Sequence, residues 1–250
     1  MSYAGRYAEL YDLFYAEKDY ASEAAFVHRR IQEHSGGTAH RVLELACGTG
    51  KHAAELSKLG YEVVATDRSD AMLVEAKRRA PTVEFSCQDL RTLDLPGLPF
   101  DAAVCLFDSI GYVTTNEELD LALRGVHHHL KTGGVWVFEF WHAAAMLRNY
   151  DPIRVRRWQV PGGEVLRISE TKLDHVRQVG EVSYTVHELR SDGTYVTFRE
   201  AHANRYFLIQ EMAHLLASAG FEPEKWFAGF TLNERVEHDT WHVTAIARRR

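Results

Sequence analysis

A glycine-rich turn between an apolar strand and a helix limits the folds open to this chain of 250 residues. The strand is predicted over 41–46, the turn carries Gly48 and Gly50, and the helix is predicted over 51–59. Glycine lets the backbone approach a ligand closely, and the helix N-terminus offers unpaired N–H groups to it. Asp67 stands 19 residues after Gly48, a spacing at which an acid accepts from ribose hydroxyls. The segment predicts a dinucleotide or nucleoside site.

Apolar strands alternate with helices over the first part of the chain. The predicted strands are 41–46, 61–66, 83–87, 100–107 and 135–141. The predicted helices are 6–17, 19–34, 51–59, 69–79 and 116–130, with Ser69 and Asn116 as N-caps and a turn over 131–134. This alternation implies a parallel sheet with helices on both faces. We therefore expect an α/β fold with a Rossmann-like, doubly wound, mostly parallel sheet.

The pattern changes after about residue 150, where polar and apolar residues alternate between turn pairs such as Gly162-Gly163 and Asp192-Gly193. Such alternation without helices is typical of antiparallel strands. A helix over 209–219 and a strand over 241–247 then return to the main sheet. We expect one domain built from 1–150 and 208–250, with 1–35 as a helical lid. An antiparallel β lobe inserted over 151–207 would serve as a substrate or dimer surface.

Composition narrows the partners and the compartment. The chain has 29 Lys and Arg against 35 Asp and Glu, a net charge of −6. A mildly acidic chain disfavours nucleic acid, because affinity for phosphate backbones rests on Lys and Arg. The three cysteines are scattered without a CxxC pair, which fits a reducing compartment, and no apolar run is long enough to cross a bilayer. We expect a cytoplasmic protein with no membrane or nucleic-acid partner.

The residues around the glycine turn separate two kinds of nucleotide ligand. A dinucleotide signature needs a third glycine, and Ala53 stands there. Glu44 lies at the lip of the site, where a carboxylate repels a pyrophosphate and suits an ammonium group. S-adenosylmethionine (SAM) carries an adenosine, an α-amino group and a sulfonium, and it has no phosphate. The motif therefore favours SAM over a nicotinamide dinucleotide.

Polar residues follow the next two strands at the same edge of the predicted sheet. Asp89 comes just after the third strand, where it could accept from an adenine amine, and Ser109 and Tyr112 follow the fourth. Open α/β sheets bind ligands at the carboxyl ends of their strands. Ser109 and Tyr112 are therefore the candidate catalytic residues.

Residues 40–141 resemble the class I SAM-dependent methyltransferases. In that family the glycine loop holds the methionine part of SAM, the acid after strand two the ribose, and the acid after strand three the adenine. An apolar residue at Met72 would pack on the adenine, and the Leu106 carbonyl would meet the amino group. The resulting cofactor-binding candidates are Tyr15, Glu44, Ala46, Gly48, Gly50, Asp67, Arg68, Met72, Asp89, Leu90 and Leu106.

A narrower resemblance covers nearly the whole chain. The N-terminal YAELYDLFYAEKDYASEA, the SIGY segment and the lobe look like the amino-sugar N,N-dimethyltransferases, which act on nucleotide-linked 3-amino sugars. The family places a tyrosine matching Tyr15 at the cofactor, and it usually carries SIGH where this chain has Tyr112. The resemblance implies methylation of an amine on a small molecule, with a homodimer through the lobe as a further expectation. The alternatives are an O-methyltransferase of another small metabolite and a non-catalytic SAM-binding protein.

Two further patterns have simpler interpretations. His127, His128 and His129 lie on successive helical positions about 100° apart, so they cannot converge on one ion, and we expect no metal site. Arg154 and Arg156 share a face of a strand and form either a solvated edge or a clamp for a substrate phosphate.

Overall fold

A computed structural model describes residues 5–97 and 99–250 of the chain. Its helices are α1 Gly5–Phe14, α2 Tyr20–Ser35, α3 Lys51–Lys58, α4 Asp70–Arg79, α5 Asn116–His129, α6 Ala143–Asn149 and α7 Ile209–Ser218. Its strands are β1 Arg41–Leu45, β2 Glu62–Asp67, β3 Glu84–Cys87, β4 Phe100–Cys105, β5 Leu130–His142, β6 Ile153–Val160, β7 Gly163–Asp174, β8 Val179–Arg190, β9 Tyr195–Phe207, β10 Phe221–Ala228 and β11 His242–Arg249. Short 3₁₀ turns cover Leu90–Thr92 and Ser109–Tyr112.

The first five strands form a parallel sheet in the order β3-β2-β1-β4-β5. On the far side of β5, β11 and then β10 add antiparallel strands. Strands β6 to β9 form an antiparallel meander, which we call the lobe. The expected α/β fold, a Rossmann-like and mostly parallel sheet with added antiparallel strands, is confirmed.

The lobe is joined to the main sheet at one point. Strand β9 pairs in parallel with the carboxyl end of β5, at Trp141–Tyr206 and His142–Phe207. Because this pairing lies at the carboxyl edge of the parallel strands, the lobe rises from the edge where α/β sheets bind ligands.

The core lies on both faces of the main sheet. On β5 the aromatic residues Trp136 and Phe138 pack toward α5 and α7, and the alternate residues Val135 and Val137 pack toward α2 and α3. All four are fully buried. A strand covered on both faces reads as a continuous apolar run, and each such side chain contributes about 1.5–3 kcal/mol through burial.

The two N-terminal helices pack on different parts of the molecule. Val27 and Ile31 of α2 are fully buried against the main sheet. Tyr7 and Phe14 of α1 pack instead against the lobe, in a cluster that includes Val186. The lid expected over 1–35 stays a prediction, and its first four residues lie outside the part of the chain that the structure describes.

Predictions of where helices, strands and turns begin and end were right at some positions and wrong at others. Ser69 is the N-cap of α4, and its hydroxyl accepts from the Met72 N–H at 3.4 Å, as expected. The prediction of Asn116 as N-cap of α5 was wrong, because the Thr115 hydroxyl accepts from the Glu118 N–H at 3.2 Å. The turn expected over 131–134 is part of β5, which pairs there with an irregular register. The short helix α6 and strand β10 were not anticipated.

Among the residues that the structure describes, no helix is long and apolar enough to span a bilayer.

Candidate active site

Two adjoining cavities lie at the carboxyl edge of the parallel strands. The larger has a volume of about 740 Å³ and the smaller about 370 Å³. Tyr11 of α1, Gly48 of the glycine loop and Phe107 after β4 line both. The cavities therefore form one continuous site between the sheet edge and α1.

Most of the predicted cofactor residues line this site. The larger cavity is lined by Ala46, Gly48, Asp67, Arg68, Met72, Asp89 and Leu90, together with the predicted catalytic residues Ser109 and Tyr112. The smaller is lined by Glu44, Ala46, Gly48, Leu106 and Ser109. Tyr15 and Gly50 line neither cavity. Tyr15 packs edge-on against Phe107, with ring centroids 4.9 Å apart, so it lies one ring behind the site.

The glycine loop owes its shape to left-handed backbone conformations. Ala46, Gly48 and Gly50 have φ of 52°, 55° and 72°, which glycine adopts at little cost. A β carbon at Gly50 would lie 2.9 Å from the Ala76 β carbon of α4. Gly50 therefore permits close packing of the loop on α4, and its role toward a ligand stays a prediction.

Asp67 is held at the end of β2 by two backbone amides. Its Oδ2 accepts from the Gly48 N–H at 2.8 Å and its Oδ1 from the Ser69 N–H at 2.8 Å. Burial raises the pKa of the carboxyl, and these two amides oppose that shift. Each carboxylate oxygen keeps a second lone pair, so the fixed carboxylate can accept from two neighbouring hydroxyls.

Glu44 lies in the smaller cavity, with 2% of its surface exposed. Its Oε2 has no hydrogen-bond partner among the described residues. Burial, followed by the negative charge of Asp67, raises the Glu44 pKa to about 8. A buried carboxyl without a partner is costly, and a cationic ligand group would satisfy it.

A cation and a phenol line the same small cavity, and sequence reasoning missed both. Lys51 lies with its Nζ 4.8 Å from the Tyr20 ring centroid and 3.3 Å from Asp12 Oδ1. The Tyr20 hydroxyl is buried without a hydrogen-bond partner in the described chain. With Glu44, the cavity offers an acid for an ammonium and two donors for a carboxylate. These groups fit the amino-acid end of SAM. The position of Lys51 immediately after the GTG turn was the available signal.

Asp89 is engaged by a neighbouring arginine. Its Oδ1 accepts from the Arg91 backbone N–H at 3.0 Å and from Nε at 2.8 Å, and its Oδ2 accepts from Nη2 at 2.6 Å. The Arg91 hydrogen bonds hold the pKa of Asp89 below its usual value. Asp89 is thus an ionised acceptor beside Met72, whose side chain is 2% exposed in the same cavity.

The chain after β4 turns sharply toward the larger cavity. Phe107 and Asp108 have φ of 58° and 56°, a conformation that costs non-glycine residues energy and that clusters at functional sites. The turn delivers Ser109, whose hydroxyl donates to the Leu106 carbonyl at 2.8 Å, and Tyr112, which lines the cavity. Tyr112 packs edge-on against His202 of β9, with centroids 5.9 Å apart.

Two buried acids and a partly exposed histidine anchor this turn. Glu139 of β5 accepts from the Phe107 N–H at 2.9 Å, and His242 of β11 donates from Nδ1 to Asp108 Oδ2 at 2.8 Å. Burial and the charge of Asp108 raise the pKa of Glu139 to about 8. The charge of Asp108 raises the pKa of His242 to about 9. The three ligand-type atoms lie within 4.8 Å of one another, and the sequence analysis did not anticipate this group.

Comparison with known proteins agrees with this site. Residues 42–134 match a family model described as a methyltransferase domain. A dTDP-3-amino-3,6-dideoxy-alpha-D-glucopyranose N,N-dimethyltransferase from Streptomyces fradiae is 33% identical over 89% of this chain and 86% of its own length. A dTDP-3-amino-3,4,6-trideoxy-alpha-D-glucopyranose N,N-dimethyltransferase from Streptomyces venezuelae is 37% identical over 54% of this chain and 57% of that protein.

A solved structure gives the same result over the whole fold. The sugar N-methyltransferase KedS8 from a Streptoalloteichus species superposes with a TM-score of 0.81 at 30% identity, covering 96% of this chain and 92% of that one. The chain belongs to the family of SAM-dependent methyltransferases, and its acceptor is a small molecule. The resemblance noted in the sequence and the expected cofactor, SAM, are confirmed.

Proposed function

We propose that this methyltransferase acts on an amine nitrogen, and that its acceptor is an amino sugar linked to a nucleotide. The relative from S. fradiae, aligned over 86% of its own length, is named for N,N-dimethylation of such a sugar. KedS8, at 30% identity, is named as a sugar N-methyltransferase. These names support the proposal. The residues at the acceptor end of the site favour an amine acceptor independently of them.

The observation that carries the choice of an amine is the set of groups at that end. Tyr11, Ser109 and Tyr112 line the larger cavity there, and all three are hydroxyls. Burial raises the pKa of Tyr11 well above its ordinary value near 10, and the Ser109 hydroxyl donates to a carbonyl. None of the three is a base at neutral pH. A neutral amine attacks without a strong base, whereas an alcohol needs one.

The cofactor residues divide into three groups in this proposal. Glu44 binds the α-ammonium, and Lys51 with Tyr20 binds the carboxylate. Asp67 accepts from the ribose hydroxyls. The remaining candidates, Ala46, Gly48, Gly50, Arg68, Met72, Asp89, Leu90, Leu106 and Tyr15, shape the loop, the adenine slot and the wall beside the methyl group. When bound, SAM supplies a methyl group activated by its sulfonium charge.

The protein contributes mainly alignment. Methyl transfer forms a carbon–nitrogen bond as the carbon–sulfur bond breaks, and the methylated ammonium then releases one proton to water. Holding the two reactants in line can supply several kcal/mol of the barrier, about 7–11 in favourable cases. We assign this task to Tyr112 and Ser109, which fix the acceptor nitrogen at the end of the β4 turn, while Tyr11 of α1 excludes water.

We also propose the domain division that the sequence predicts. Residues 1–150 and 208–250 build the cofactor domain, and the inserted lobe of 151–207 covers the acceptor site. Residues 1–35 act as the lid, chiefly through Tyr11 of α1. A homodimer through the lobe stays a prediction, which sedimentation equilibrium tests directly.

Calorimetric titration with S-adenosylhomocysteine tests the cofactor site. We expect binding by the wild type, a loss of at least about tenfold in Asp67→Ala, and unchanged binding in Asp120→Ala, a matched change on the exposed face of α5. Failure of the folded wild type to bind would refute the cofactor assignment.

Mass spectrometry then tests the acceptor. The probe is dTDP-3-amino-3,6-dideoxyglucose, and its 3-hydroxy analogue is the matched control. Gain of one or two methyl groups by the amine alone supports the proposal. Methylation of the hydroxy analogue at an equal or higher rate would overturn the choice of nitrogen.

A further inference from the structure

The face of the lobe that covers α1 carries arginines on neighbouring strands. Residues directly opposite on antiparallel strands share a face, and Arg156 of β6 lies opposite Arg167 of β7. The next pair on that face, Trp158 and Val165, packs with Phe14 of α1. Arg156 and Arg167 therefore face α1, the first at the rim and the second inside.

Arg167 lies in a box of aromatic rings and is 5% exposed. Its guanidinium carbon lies 4.7 Å from the ring centroid of Phe14, 5.0 Å from Tyr184, 5.3 Å from Trp158 and 5.7 Å from Tyr15. Within the described ranges no acidic side chain forms an ion pair with it, and its Nε and Nη1 have no hydrogen-bond partner. The rings surround the guanidinium and leave its Nε and Nη1 without an acceptor.

A buried guanidinium of this kind lowers the stability of the folded protein. Arginine cannot lose its proton in a protein, and a buried charge without an opposite charge destabilises the folded state. The rings attract the guanidinium through cation–π contacts, and the Tyr15 side chain hydrogen-bonds to it, but Nε and Nη1 still have no acceptor. An oxoanion at the edge would satisfy both the charge and the geometry.

We propose that Arg167 anchors an oxoanion-binding subsite between the lobe and α1, which takes a phosphate or carboxylate group of the methyl acceptor. Tyr15 packs on both Arg167 and Phe107, and Phe107 lines the cofactor cavities. The subsite is thus one ring away from the methyl-transfer site. An acceptor that fills both carries its anion several bonds from its amine.

The anion reaches Arg167 when α1 shifts. This shift separates Tyr7 and Phe14, the buried aromatic residues of α1, from the cluster that they form with Val165 and Val186 of the lobe. Arg156 and Arg154, both exposed on the same face, draw the anion to the rim. The identity of the ligand as the acceptor rests on the proposed function, whereas anion binding at Arg167 does not.

Calorimetry with inorganic pyrophosphate tests the subsite without any acceptor. The folded wild type should bind one equivalent at low ionic strength, and the bound anion should change the fluorescence of Trp158, with the change absent in Trp158→Phe. Arg167→Gln should weaken binding by at least about tenfold. The matched control is Arg177→Gln, at an exposed turn beside Asp174 and Glu181, which should bind as the wild type does.

Arg167→Lys keeps the charge and removes the fork, so it tests the geometry if Arg167→Gln does not fold. It should bind pyrophosphate more weakly than the wild type does. Stronger binding of pyrophosphate than of malonate assigns the subsite to a phosphorylated acceptor, and the reverse order assigns it to a carboxylate. Absence of saturable binding, or wild-type affinity in both Arg167 variants, would overturn the proposal. Neither result depends on whether methyl transfer to an amino sugar is observed.

Discussion

Replacing Glu44 by glutamine separates the stability of this protein from its affinity for SAM. Glu44 is 2% exposed, and burial with the charge of Asp67 raises its pKa from 4.5 to about 8. In the free protein at neutral pH the group is therefore mostly protonated. An ammonium group in the cavity favours the ionised form, so binding of S-adenosylhomocysteine at neutral pH should release a proton.

The stability consequence has a definite sign. The folded state holds a proton that the unfolded state has released between pH 4.5 and about 8, so the wild type loses stability as pH rises through that window. One pKa unit corresponds to about 1.36 kcal/mol. Glutamine does not titrate. Any effect of the substitution on stability that does not depend on pH therefore leaves the slope of the unfolding free energy against pH unchanged. The free energy of unfolding of Glu44→Gln, relative to wild type, should rise by about 3 kcal/mol between about pH 5 and pH 8.

The affinity of Glu44→Gln for S-adenosylhomocysteine should fall, although its stability relative to the wild type rises with pH. A hydrogen bond to a charged group contributes about 1.5–3 kcal/mol, so Glu44→Gln should bind S-adenosylhomocysteine roughly 10- to 150-fold more weakly. Urea unfolding across the pH range measures the stability, and calorimetry in two buffers of different ionisation enthalpy counts the protons released. Glu62→Gln, on an exposed carboxyl at the start of β2, is the control. Parallel pH profiles of variant and wild type, or unchanged affinity, would refute the reasoning.

Three further outcomes follow from the site. Asp67→Asn turns an amide N–H toward one of the two backbone donors, so calorimetry should show at least about tenfold weaker S-adenosylhomocysteine binding. Gly50→Ala should lower the free energy of unfolding by about 1–3 kcal/mol, because its β carbon would lie 2.9 Å from another side-chain carbon. Gly60 has φ of 94° with open space around it, so Gly60→Ala should lower the free energy of unfolding only through backbone strain, by about 1 kcal/mol. Equal losses of stability in the two variants would contradict the packing argument. Asp108→Asn should return the pKa of His242 from about 9 toward 6.5 in an NMR titration. It should also remove a stabilisation present below pH 6.5 and lost as pH rises through 9.

The convergence of the predicted cofactor residues could be foreseen from the sequence because it depends on periodicity alone. Glu44, Asp67 and Asp89 stand at or just after the ends of successive apolar strands. Parallel strands bring such ends to one edge of the sheet whatever the side chains between them. The antiparallel strands after residue 150 followed from the same kind of pattern, whereas the order of the strands in the sheet was not predicted.

Lys51 and Tyr20 could not be placed in that way. Each lies on a helix, where the direction of a side chain depends on how the helix packs rather than on its position in the sequence. Glu139 and His242 meet Asp108 from strands remote in the chain, and no local pattern signals such contacts. Thr115 displaced Asn116 as N-cap because both residue types cap helices well, and the one-residue choice is made by the turn before α5.

The cofactor could be inferred from the sequence, whereas the acceptor needs experiment, because the two ligands are placed on different parts of the fold. Most of the residues that we propose for SAM binding lie in turns of the parallel sheet, whose geometry is fixed by a core buried on both faces, whereas Tyr20 and Lys51 lie on helices. In the proposed arrangement the acceptor nitrogen meets Ser109 and Tyr112 after β4, whereas the rest of the acceptor lies against α1 and a lobe joined to that sheet by two residue pairs. Arg167 lies on this second part, where side chains can change without disturbing the main core. Substitutions on the inner face of the lobe should therefore alter the affinity for the acceptor while leaving the binding of S-adenosylhomocysteine unchanged.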